Sequence, residues 1–228
     1  MDTNPAGAGR PAAPDPEELR LLADQLSRMR GMLFGYSERF FERIRTYLLL
    51  TLALLVIAGS GIVPAAAVVV PFLVPFAFLE TGYLFYYTVF ARRHAEYLER
   101  TINARMGRDV LVAHRLEAAY FYPPDKPKIA ALSLGNPLGM MSAVTLGYTG
   151  GAFLLWVAGM AGTAWYLSSA GDLAWLGVAL SALVMPLQVA WTLAIAGHLV
   201  YAFLSRRDEK KLIAELDRSY GPPDRRAD

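Results

Sequence analysis

Two stretches of this chain stay almost free of charge for far longer than a soluble domain tolerates. From Thr46 to Ala91 the only ionisable group besides tyrosines is Glu80, and from Ile129 to Ser205 the only others are Asp172 and His198. A hydrocarbon core ~30 Å thick is crossed by about 20 apolar helical residues, so each block is long enough to cross twice. Turn compositions divide both blocks: Gly59-Ser60-Gly61 with Pro64 in the first, and Ser168-Ser169-Ala170-Gly171-Asp172 in the second. The expected fold is therefore all-α: a polytopic membrane protein with four transmembrane helices in two hairpins and cytoplasmic helical extensions. The spans are expected near Thr46 to Val63, Ala66 to Phe90, Tyr148 to Leu167 and Leu173 to Leu204. At 18% charged residues the chain also falls below the roughly 25% usual for soluble domains.

Basic residues set the expected orientation. All 22 Lys and Arg lie in three groups, 7 from Arg10 to Arg45, 8 from Arg92 to Lys128 and 7 from Arg206 to Arg226, with none in either hairpin turn. The positive-inside bias places those groups, and both termini, in the cytoplasm. A fifth span over Ile129 to Leu146 would put the last group outside, and Gly135, Asn136, Pro137 and Gly139 interrupt a helix there. ALSLGNPLGMMSA instead reads as an interfacial or re-entrant approach to the third span. Ala-, Gly- and Arg-rich usage suits a bacterial plasma (inner) membrane. The opening MDTNPAGAGRPAAPDPEE lacks the apolar run of a signal peptide and reads as a disordered tail. The expected organisation is a tail at 1–15, a cytoplasmic amphipathic helix at 16–45, a hairpin at 46–90, a cytoplasmic helix with the interfacial segment at 91–147, a hairpin at 148–204, and a cytoplasmic helix and tail at 205–228.

Asp15-Pro16-Glu17-Glu18 is a helix start, with a capping carboxylate, proline at the first position and acids at the positive end of the dipole. Leu19, Leu22, Leu26, Met29, Leu33, Tyr36 and Phe40 then recur at spacings of three and four, a seam for helix packing on this chain, another subunit or a lipid surface. Ala91, Ala95, Leu98, Ile102 and Met106 form a similar face after the second span, and Leu212 and Leu216 one after the fourth, so three spans extend into a helical stalk. Ala67 to Tyr86 laid on Ala182 to Tyr201 matches at seven of twenty positions. A duplication of that kind would relate two hairpins of like orientation.

Glu80 is the residue that chemistry must explain. Measured along its own helix it lies twelve residues before Arg92, ~18 Å from that boundary, where an unpaired acid costs several kcal/mol. It reads either as a proton- or cation-binding carboxylate facing a cavity or as a structural acid bonded to a neighbouring span. His198 is the candidate partner, and Gln188, Tyr83 and Thr192 complete the expected intramembrane polar site. Gly147, Gly151, Ala158 and Gly162 share one face of the third span, a small-residue surface for close helix approach within the chain or to a second copy. Pro71, Pro75 and Pro186 predict kinks whose freed carbonyls need partners.

Signatures of catalysis are few. The chain has no cysteine, no phosphate-binding G-x-x-x-x-G-K-[ST], no H-E-x-x-H and no G-x-S-x-G. His94-Ala95-Glu96 matches part of a zinc-deaminase pattern without its cysteines. No cofactor or metal is expected, and the basic segments flank membrane rather than nucleic acid. The order of cytoplasmic helix, span, tight turn, span and cytoplasmic helix resembles small bacterial membrane effectors of the SLATT type, a likeness of layout that assigns no residue a role. The function expected first is a non-enzymatic oligomeric membrane protein that conducts or senses ions, with the lipid bilayer and its own copies or other membrane subunits as partners. An accessory subunit of a larger complex comes second and a lipid-modifying enzyme third.

Overall fold

Asp15 opens the first helix: its Oδ1 accepts the N–H of Glu17 at 3.0 Å, Pro16 needs no partner for a missing N–H, and Glu17 and Glu18 occupy the first turn. The computed structural model describes residues 15–121, 128–129, 132–133, 140–169, 174–175 and 178–221, with side chains at 15–117, 146–169 and 179–221. Helix α1 then runs Pro16–Gly59 without a break, 44 residues or ~66 Å. The expected amphipathic helix and first span are thus one element, since no proline interrupts it and Gly31 and Gly35 cost only propensity.

Gly61, at φ +77°, turns the chain, and a 3₁₀ helix, Pro64–Val69, leads into α2, Val70–Met106. Gly107 ends α2 at φ +65°. Asn103 ties the following loop back to the helix: its Oδ1 accepts from the N–H groups of Val110 at 2.9 Å and Leu111 at 2.8 Å, and its Nδ2 donates to Leu111 O at 2.7 Å. The remaining helices are α3 (Ala113–Phe121), α4 (Met140–Ser169), α5 (Leu180–Ser205) and α6 (Arg207–Tyr220). Outside them are two minimal antiparallel pairings, Lys128–Ile129 with Leu132–Ser133 and Ala174–Trp175 with Val178–Ala179. The second pairing falls where the last span is expected to begin, at Leu173, and the described helix α5 starts at Leu180. Residues 134–139, at the centre of the expected re-entrant segment, lie outside the described residues.

The protein is all-helical in architecture, and among the described residues three helical stretches are long and apolar enough to cross a membrane: Pro64–Met106, Leu146–Ser169 and Leu180–Tyr220, the last comprising α5 and α6. The apolar end of α1 is shorter. From Thr46 to Gly59 it offers only ~21 Å of helix before Arg45 and Arg43.

Side-chain pairs give the packing register. Helices α1 and α2 are antiparallel, with Tyr47 against Phe76, Tyr36 stacked on Tyr87 at 5.1 Å between ring centroids, and Glu18 paired to Arg105 at 2.8 Å. Each step outward from Gly61 on one helix is matched on the other. Helix α5 runs parallel to α2, with Trp191 Nε1 donating to Phe72 O at 3.1 Å and Tyr86 OH to Ala202 O at 2.8 Å. Helix α4 is antiparallel to α2, setting Thr163 beside Ala67 and Tyr148 beside Phe78.

At the charged end of the hairpin, Leu26 of α1 is buried against Ala95, Leu98 and Ile102 of α2, with Leu19, Leu22 and Met29 packed around them. The seam is therefore occupied by this chain's own α2 along that stretch. Helix α6 closes the bundle there: Arg93 pairs with Glu209 at 3.0 Å, and Tyr97 OH donates to Asp217 Oδ1 at 2.6 Å. Between α5 and α6, Arg206 sits at φ 45°, a left-handed conformation that sharply breaks the helix direction.

Candidate functional site

The hairpin register gives Glu80 its neighbours. Arg43, on the facing side of α1, places Nε 3.2 Å from Glu80 Oε1, and the Tyr47 hydroxyl, one turn further along, donates to Glu80 Oε2. A carboxylate accepts at both oxygens, and here one charged and one neutral donor occupy them. The network is not closed off: the Arg43 side chain is 53% exposed and that of Glu80 32%.

His198 lies at a similar level on α5 but is exposed, and among the described residues it makes no hydrogen bond or ion pair, so the expected partner of Glu80 is replaced by Arg43 and Tyr47. Tyr83 is exposed as well, one turn further along α2. The depth reckoned from Arg92 also changes meaning. Arg43 stands beside Glu80 on the neighbouring helix, so the charge boundary of α1 comes about 12 residues earlier than that of α2, or ~18 Å.

Gln188 belongs to a second, separate polar cluster. It is fully buried where the 3₁₀ helix meets α4 and α5, and its Nε2 donates to Val68 O at 3.0 Å and to Thr163 Oγ1 at 3.3 Å. The cause is local. In a 3₁₀ turn the donor to Val68 O is the N–H of residue 71, and residue 71 is proline, so a side chain from another helix supplies it. Thr163, also fully buried, places its hydroxyl 2.8 Å from Gly159 O and 3.3 Å from Ala67 O. Gln188 Oε1 is buried without a protein partner. Thr192 links the next turn, donating to Gln188 O at 2.8 Å and accepting from Trp156 Nε1 at 3.1 Å.

This cluster yields a stability prediction. Gln188→Leu strands Val68 O, which costs ~1–3 kcal/mol, while removing the unpartnered Oε1 offsets part of that. A net loss of about 1 kcal/mol is expected in denaturant unfolding of the detergent-solubilised protein.

The small-residue face of α4 divides in two. A Cβ built on Gly162 meets Ala67 Cβ at 2.9 Å, and one on Gly159, absent from the expected set, meets Val70 Cγ1 at 2.5 Å. Gly147 and Gly151 have nothing within 4 Å, and Ala158 is exposed. Close approach to α2 therefore uses only the end of the stripe.

The third cluster is in the charged half. Glu99 of α2 is only 3% exposed yet ionised, held by Arg30 of α1 and by His114 of α3, whose Nδ1 lies 3.0 Å away and whose backbone N–H donates at 3.2 Å. Burial alone would raise its pKa. The hydrogen bonds from His114 and Arg30, with the charge of Arg30, overcome this and bring it down to about 2. One carboxylate thereby clamps three helices. His94, part of the partial deaminase pattern, instead places Nε2 2.9 Å from Tyr220 OH, and burial lowers its pKa. A concavity of about 410 Å³ between α1, α2 and the loop after α2 is lined by Leu19, Leu26, Ile102, Met106 and Leu111, with Arg30 at its edge. It presents no paired nucleophile and base.

Arg43, Tyr47 and Gly159 are contacts that motif reading missed, as are Glu99, Arg30 and His114. Folding the sequence at Gly61 would have found the first, since equal steps outward from that turn bring Glu80 opposite Glu42 and Arg43. No family model, no curated protein and no solved structure matches the chain.

Proposed function

We propose that this chain is a non-enzymatic integral membrane protein of the plasma membrane that assembles with its own copies and conducts or senses ions. In this reading the α1–α2 hairpin crosses the bilayer together, giving four spans with α4 and α5, both termini in the cytoplasm and the charged halves of α1 and α2 forming a stalk with α6. The apolar end of α1 is short, and at the level where it stops Tyr83, Tyr87 and Tyr201 furnish exposed interfacial aromatics.

One observation carries the reading. The Arg43–Tyr47–Glu80 network is half open to its surroundings at a level where α2 and α5 present Tyr83, Val200 and Tyr201 outward. Charges so placed are tolerated when they face water or protein, and intramembrane ionisable groups mark ion paths by default.

Purified protein in liposomes is expected to pass cations, and Glu80→Gln to lower cation over anion selectivity, because Arg43 is left uncompensated. Protein that conducts nothing in either form would reject the conducting role. A second reading, an accessory subunit of a larger complex, draws on the wide unburied faces of α4 and α5, where Leu154 and Leu193 stand out. Stoichiometric foreign subunits on gentle solubilisation are its signature.

A further inference from the structure

The outer face of α1 has the wrong chemistry for its level. Arg43 beside Glu80 and Tyr36 beside Tyr87 fix where α1 residues 38–45 stand, alongside the tyrosine-rich turns of α2 that follow Glu80. There α2 and α5 offer lipid-suited surface, with Tyr83, Val200 and Tyr201 exposed. Yet α1 at this level exposes Glu38, Arg39, Glu42 and Arg45, and among the described residues none of these four side chains makes an ion pair or hydrogen bond. Hydrocarbon tolerates such groups poorly.

Helical geometry sorts these residues. At about 100° per residue, Gly31, Glu38, Glu42, Arg45 and Leu49 fall within about 60° of one another, on the side of α1 opposite Tyr36 and Tyr47, which contact α2. A Cβ built on Gly31 or Gly35 meets nothing within 4 Å, so the backbone of α1 is approachable there. Glu42 leans to one flank of the face and Arg45 to the other. When identical helices stand side by side around an axis along their length, the Glu42 flank of one meets the Arg45 flank of the next. The face thus complements itself in charge, which a lipid surface does not.

We propose that this outer face of α1 packs against α1 of a second copy of the same chain, with Glu42 of each copy paired to Arg45 of its neighbour. The α1 helices surround the assembly axis, and the exposed faces of α4 and α5 turn to lipid. The inference rests on the membrane reading above, and it adds the surface and pairing through which copies meet.

The absence of cysteine makes the test clean. Leu49→Cys lies on the proposed face and Gly35→Cys borders it beyond the Glu42 flank, both leaving its charges intact, and Leu193→Cys, 66% exposed on α5, is the control. Oxidation in native membranes should convert most of the Gly35→Cys and Leu49→Cys protein to disulfide-linked dimer and at most a few per cent of the control. Equal or stronger linking at Leu193, or none at either α1 position, overturns the proposal; the latter is also the result if anionic headgroups cover Arg39 and Arg45.

Charge exchange checks the pairing independently. Glu42→Arg should reduce Leu49→Cys linking at least fivefold, and adding Arg45→Glu should restore it. Linking that ignores both changes removes the assigned pair. Linked protein that conducts nothing in liposomes would defeat the conducting role and leave this surface standing, whereas conducting protein that never links on α1 would do the reverse.

Discussion

Glu99→Ala is expected to lower folding stability by about 3–5 kcal/mol, the usual cost of breaking a buried ion pair from one side. The magnitude follows from what remains. Arg30 and the backbone N–H and Nδ1 of His114 all point at one carboxylate that is 3% exposed, and without it those donors lose their acceptor together. Equilibrium unfolding in detergent, followed by far-UV circular dichroism, measures the loss. Glu99→Gln keeps an acceptor oxygen but no charge and should fall between wild type and alanine.

The same carboxylate gives the molecule an acid limit. Its pKa is about 2 in the folded protein against an ordinary 4.5, a depressed value. Its contribution is therefore fully present above pH 4.5 and is lost as pH falls toward 2, a change on the order of 3 kcal/mol. Unfolding midpoints taken between pH 6 and pH 2 should decline in the wild type and decline less in Glu99→Ala. Identical slopes would show that Glu99 is not the group responsible.

Gly159→Val is expected to be the most damaging substitution in the apolar half, costing about 3 kcal/mol or more, and Gly159→Ala about 1–3 kcal/mol. The new Cβ would stand 2.5 Å from Val70 Cγ1, 2.7 Å from Val70 Cβ and 3.1 Å from Pro71 Cδ. Val70 has no exposed surface to retreat into, and Pro71 is held by its ring, so α4 must move away. Loss of that contact also separates Thr163 from Gln188. Alanine at Gly147 or Gly151, with nothing within 4 Å, should change stability by less than 0.5 kcal/mol. If all three alanine variants behaved alike, the close approach of α4 to α2 would be wrong.

How far residue pattern led to structure depends on the element. The start of α1 followed from Asp15 and Pro16, because a cap is decided by neighbours within four residues. The seam from Leu19 to Met29 was legible as a face, and its packing on Ala95, Leu98 and Ile102 follows from the complementary face on α2.

The partner of Glu80 was not legible from depth along α2. Depth was counted from Arg92, and the arginines that matter are on the other arm of the hairpin, visible only after the register through Gly61 is known. Gln188 looked like a companion of Glu80 because both are polar in apolar surroundings. Its position is set instead by Pro71, which leaves Val68 O without its backbone donor. On α4 the wheel identified a small-residue stripe, but which part is occupied depends on where α2 begins, at the end of the 3₁₀ helix. Hence Gly159 carries the contact and Gly147 does not.

Continuity of the long helices has a mechanical corollary. From Pro16 to Gly59, and from Phe76 to Met106, neither rod contains a proline or loop between its charged half and its apolar half, and Glu99 bolts the two rods together at one end while Glu80 does so further along. A push or twist applied near Glu18 must then arrive at Tyr47 almost undiminished. Helices α5 and α6 are not one rod: the left-handed joint at Arg206 interrupts them, so a twist of α5 is not carried along a continuous helix into α6.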